Sequence, residues 1–153
     1  MDIQNYGLTI PLPNGWDGRI YRQTPLDAIT LEATSARLAP IADDSFIQTE
    51  QGMGSADIYV RLSDIGPPPP YLGKGNDWQI VSSPPPIQPV DLQDFIEGHS
   101  LPAGVASAMV INNRAFMLYV GFGTWPSQAQ LNQMNQILSQ LQVEAEPVPA
   151  ASS

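Results

Sequence analysis

The sequence predicts an α+β domain: an antiparallel sheet of about five to seven strands, one long C-terminal amphipathic helix packed on it, and one or two short helices. Two observations carry this, and both fall between Gly104 and Leu141. From Phe116 the chain alternates, with Phe116, Leu118, Val120 and Phe122 on one side and Met117 and Tyr119 on the other. That period of two marks a strand. After Gly123 the period lengthens, and Leu131, Met134, Leu138 and Leu141 recur at helical spacing beside Ile137, which gives one apolar helix face. A third observation joins the strand to a partner. Asn112-Asn113 separates it from the apolar run Ala108–Ile111, and Asn tolerates the positive φ of a two-residue hairpin turn.

The remaining elements follow in chain order. Tyr6, Leu8, Ile10 and Leu12 alternate with Gly7, Thr9 and Pro11 and predict a first strand ending near Pro11. Pro13-Asn14-Gly15 is a turn, and Trp16 to Gln23 returns as a second strand. Ala28 to Ser35 is a third, with Ile29, Leu31 and Ala33 on one face and Thr30, Glu32 and Thr34 on the other. Asp43-Asp44-Ser45 can cap a short helix through Phe46, Ile47 and Glu50, stopped by Gly52. Ala56 to Ile65 alternates again: Ile58, Val60 and Leu62 point inward, and Asp57, Tyr59 and Arg61 are expected on a wet face. Ahead of the C-terminal helix, Thr124 or Ser127 serves as the cap and Pro126 fits a first turn.

More than half of the 16 prolines fall between Gly66 and Pro102. Proline runs favour extended geometry and supply no ladder donors. Tyr71, Trp78, Ile80, Val81 and Phe95 lie in the same stretch, so it reads as an ordered excursion rather than a linker. Trp78 to Ser82 is a short strand candidate, and Val90 to Glu97 a short helix or an extended edge. The expected organisation is a single domain over 1–143, with the excursion at 66–102, and a flexible tail over 144–153.

Composition narrows the function classes. Six basic residues stand against fifteen acidic ones, a formal net charge of −9. Arg19, Arg22, Arg37, Arg61 and Arg114 are scattered and Lys74 is the one lysine, which argues against nucleic acid and anionic membranes. With no cysteine, disulfides, thiolate catalysis and Cys-ligated metals are excluded. No apolar run approaches the length of a membrane span, and no signal peptide is apparent. As written, the chain reads as cytoplasmic, though a processed exported form would look the same.

Chemistry-bearing motifs are sparse. His99, in Glu97-Gly98-His99-Ser100, reads as a solvated loop histidine, because a triad needs members converging from different elements. Asp43-Asp44 and Asp91 with Asp94 offer oxygens to calcium but lack the spacing of an EF-hand loop, so capping is their expected duty. Gly73-Lys74-Gly75 lacks the strand and helix context of a phosphate loop. Neither a cofactor nor a metal is therefore expected.

Recognition remains. Pro69 and Pro70 lead into Tyr71, with Trp78 a turn beyond, and proline segments lose little entropy on docking. On the helix, Gln133 and Gln136 belong to an outer face of amides without charge, which can hydrogen-bond a partner without desolvating ions. These six residues are the predicted contacts. The sequence thus predicts a non-catalytic accessory or structural protein acting through protein–protein contacts in a larger assembly, with homo-oligomers admitted. The alternative is a small-ligand or calcium-binding module that uses the acidic loops.

One further pattern spans most of the chain. Gly7-Leu8-Thr9-Ile10-Pro11-Leu12-Pro13 runs through a Pro-Asn-Gly turn into Trp16, and a late hairpin feeds one helix and a short strand near Val143. In this order of elements the chain resembles the Mog1/PsbP-like group of small α+β sandwiches. The resemblance implies an antiparallel sheet flanked by helices and an accessory or binding role, and carries no site residue onto this chain.

Overall fold

The computed structural model describes residues 1–68 and 78–149. Nine strands among them divide between two sheets, and two α-helices pack on these. β1 (Asp2–Asn5) and β2 (Leu8–Pro11) form a hairpin, followed by β3 (Asp17–Tyr21) and β4 (Ile29–Thr34). Next come α1 (Ser45–Gln51), β5 (Ile58–Gly66) and β6 (Gln79–Val81). β7 (Ala103–Ile111), β8 (Arg114–Phe122), α2 (Gln128–Ser139) and β9 (Gln142–Val143) complete the order. The α+β class is as the sequence predicts. The single sheet is corrected to two: a six-stranded sheet in the order β3-β4-β5-β8-β7-β6 and a three-stranded sheet β1-β2-β9. α2 runs for 12 residues, which is of ordinary length for a globular protein.

The β7–β8 hairpin turns through Asn112 and Asn113, at φ 49 and 65, as a type I′ turn requires. The first strand is divided differently from the expected Tyr6–Leu12 run. Tyr6 (φ 50) and Gly7 (φ 74) are a turn, and the chain before them pairs back as β1. Gly7 is needed twice there, for its φ and because a β-carbon would meet the Glu146 carbonyl and Arg114 Nη1. β6 lies parallel to β7, the one parallel pair of the large sheet among the described residues, since the chain crosses from β5 to the far edge before β7 and β8 are laid down.

Cross-strand register sorts the side chains. On one face Leu31, Leu62 and Leu118 align across β4, β5 and β8, as do Ala33, Val60 and Val120. This face packs against Leu131, Met134, Ile137 and Leu138 of α2 and against Leu8, Ile10 and Leu12, in one apolar cluster. Full burial of a side chain such as Phe116 (0% exposed) contributes about 1.5–3 kcal/mol. Ser127 caps α2: its hydroxyl accepts from Gln130 N at 3.2 Å while Gln130 Oε1 accepts from Ser127 N at 3.0 Å. Pro126 sits one residue before that cap and is buried, outside the first turn where its fixed φ had placed it. At α1 the cap position is Asp44, but its carboxylate accepts from Gln48 Nε2 at 3.0 Å and leaves the backbone donors alone.

The proline excursion, where described, is tied to the core. Ile87 and Leu92 are buried. The Asn135 side-chain amide accepts from Ile87 N at 2.7 Å and donates to Ile87 O at 3.0 Å. A 3-10 turn at Pro89–Asp91 and a bridge between Gln93 and Gly104 take the place of the expected helix or edge over Val90–Glu97.

Candidate functional site

The second face of the large sheet departs furthest from expectation. Alternation puts Arg19, Tyr21, Thr30, Glu32, Tyr59, Arg61 and Tyr119 there, and of these Tyr59 and Arg61 are the ones expected on a wet face. Instead Tyr59 and Glu32 are 0% exposed and Tyr119 is 7% exposed, because α1 and residues 92–102 lie across them. The cross-strand pair Gly104 and Gly121 makes this approach feasible. A β-carbon at Gly121 would strike Leu101 and the Tyr119 ring, and one at Gly104 would press on Ile96 and Tyr119.

Two buried carboxylates organise the face. Glu32 accepts from Tyr21 OH and Tyr59 OH, each at 2.6 Å, and from Arg19 Nε at 3.3 Å and Nη2 at 3.1 Å. Burial pushes the Tyr59 phenol well above its ordinary pKa, and the neighbouring Glu32 charge adds to the rise. Tyr21 moves the same way for the same leading cause. Glu50 accepts from Ser100 N at 2.9 Å and lies 2.7 Å from His99 Nδ1. The imidazole stacks on Tyr119 at 3.5 Å between centroids and leans on Phe46 at 5.4 Å. Burial, helped by Glu50, raises Tyr119 as well. The solvated reading of His99 is therefore corrected: its side chain is 16% exposed and joins α1 to the 92–102 segment.

A carboxylate-oriented imidazole has the form of a general base, and here the Glu50–His99 pair also bridges α1 and the 92–102 segment. One ring face stacks on Tyr119, and Phe46 makes a tilted contact with the same ring. Ser100 Oγ lies 3.5 Å from Glu50, on the carboxylate rather than on the imidazole, so no hydroxyl in the described part hydrogen-bonds the ring. No three His, Asp or Glu side chains of the described residues are grouped to hold a metal ion. Asp91 Oδ2 accepts from Gln88 N at 2.8 Å in a local cap.

The predicted contact residues fall in separate places. Pro69, Pro70 and Tyr71, with Lys74, lie outside the described residues. Trp78 is half-buried just before β6. Gln133 and Gln136 are exposed on α2. Their neighbour Asn135 is turned inward to Ile87, so part of the amide face holds the chain's own excursion. Val90 (88% exposed), Ile80 (75%) and Phe95 (67%) are outside the six predicted contacts. All three are apolar side chains on the excursion, and the density of anchoring apolar residues around them was the available signal. No helix of the described part is long and apolar enough to cross a membrane.

Comparison with protein-family models, with curated proteins and with solved structures finds no match to this chain.

Proposed function

We propose a non-catalytic accessory or structural protein that acts through protein–protein contacts within a larger assembly, in a cytoplasmic setting. The observation that supports this most is the excursion. Ile80, Val90 and Phe95 are held out to solvent on a segment whose own anchors, Ile87 and Leu92, are buried and whose backbone is gripped by Asn135. Apolar side chains on an anchored frame lose little conformational freedom when a partner covers them, and aromatic and aliphatic anchors of this kind dominate interface energetics. The amides of Gln133 and Gln136 offer a polar rim, and Pro69, Pro70, Tyr71 and Trp78 remain part of the proposed surface. The Mog1/PsbP-like resemblance belongs to the same proposal, as a frame of sheet and helix that presents accessory surfaces.

The test is capture of partners from the native source with wild-type protein and with Val90→Ser/Phe95→Ser. The expected result is a discrete, stoichiometric partner set that the double variant loses while its melting temperature stays unchanged. Equal capture by both proteins would move the contact surface elsewhere, and no stoichiometric capture at all would remove the accessory reading.

A further inference from the structure

The second face of the large sheet is not closed along its whole length. Beside α1 remains a cleft of about 210 Å³, lined by Tyr21, Thr30, Arg61 and Ser63 from the strands and by Asp27 and Asp43 from the flanking loops. It is smaller than the roughly 300–1,000 Å³ of drug-sized sites, and its walls are mostly polar.

Arg61 is the group in it that calls for a ligand. Arg19, Arg22 and Arg114 each donate to protein oxygens. Among the described residues Arg61 has no such acceptor and forms no ion pair. Its guanidinium lies 4.8 Å from the centre of the Phe46 ring. Stacking on an aromatic ring holds the guanidinium plane and leaves its N–H edges free. No buried side-chain nitrogen of the described part lacks a partner, so those edges reach solvent, and Arg61 lines the cleft. A guanidinium held this way matches a carboxylate with two parallel hydrogen bonds, and its pre-organisation lowers the cost of ordering.

The rim selects among anions. Asp27 and Asp43 are exposed and pair with no cation among the described residues. They repel a dianion such as phosphate and attract an ammonium group. We propose that this cleft binds a small zwitterion of the free α-amino acid class, its carboxylate on Arg61 and its ammonium toward Asp27 and Asp43. Ser63 supplies a hydroxyl on the floor. This site is independent of the protein contacts proposed above, which use the excursion and α2.

The test is titration of the full chain with each of the twenty L-amino acids, and with sodium acetate, methylammonium chloride and sodium phosphate. Each is taken to about 10 mM, above the ~1 mM constant of a weak site. Amide resonances of Ser63 and Asp43 and the Arg61 Nε resonance report binding. The expected result is saturable shifts with at least one amino acid, at least tenfold tighter than acetate or methylammonium, and none with phosphate. Arg61→Gln should abolish the shifts. Asp27→Asn/Asp43→Asn, both at exposed positions, should weaken binding about tenfold with the melting temperature unchanged, and this variant decides the matter if Arg61→Gln fails to fold. Silence across all twenty amino acids, phosphate binding tighter than any of them, or full affinity in the folded variants would overturn the inference.

Discussion

Glu32 shows what a single position can hide. Alternation assigns it correctly to the face opposite Leu31 and Ala33, but a period of two does not say whether that face meets water or protein. The carboxylate has 0% exposure and draws donors from Arg19, Tyr21 and Tyr59. Tyr59→Phe removes one donor from a buried charge, and the expected loss is about 1–3 kcal/mol in urea unfolding. On the core side Arg114 and Asp64 meet at 2.6 Å with side-chain exposures of 4% and 5%. Arg114→Met strands the aspartate, so a loss of about 3–5 kcal/mol is expected, and a change under 1 kcal/mol would contradict the pair's burial. The phenols set the alkaline limit. Tyr59 and Tyr119 are held neutral, with folded-state values above the ordinary one near 10. The stability they contribute is complete below about pH 10 and falls as pH rises through the folded-state values. The tyrosinate absorbance of Tyr59 and Tyr119 should therefore appear together with unfolding, and free titration of every tyrosine near pH 10 in a folded chain would refute this. His99 was illegible for a different reason: its partner Glu50 is 49 positions away, and no local pattern spans that distance.

Local signals were read well where the element itself carries them. Asn112-Asn113 and the spacing from Leu131 to Leu138 define a hairpin and a helix without outside help. β1 was missed because Asp2–Asn5 holds one apolar residue, Ile3, and spans only two periods of alternation. Tyr at positive φ is uncommon, so Tyr6 reads as strand rather than turn. The described part of the excursion is anchored at Ile87 and Leu92, yet the clamp on Ile87, Asn135, looked like one more surface amide. Asn135→Ala leaves Ile87 N and O without their side-chain partners. Amide exchange around Ile87 is expected to speed by tenfold or more while exchange in the β5–β8 ladder holds, and uniform protection throughout would show that the clamp is idle.

At the scale of the molecule, the α+β class was legible and the two-sided cover of the large sheet was not, because its outer layer is a seven-residue helix and a loop rather than a long periodic element. The clasp between them is testable. Glu50→Gln/His99→Ala should loosen residues 92–102 and uncover Tyr119, Ile96 and Leu101, so the folded variant should bind more of an apolar dye than wild type; unchanged dye binding would mean that packing alone holds the layer. The position of β8 in the sheet has a last consequence. β8 sits between β5 and β7, pairing Ile58 with Phe122 and Asp64 with Phe116. On the ribosome, β5 emerges with its inner edge bare and must wait until Phe122 is made. At ~5–20 residues per second that interval lasts about 3–11 seconds. Throughout it Leu31, Val60 and Leu62 lie on a half-sheet without its centre, and the nascent chain is then most in need of a chaperone.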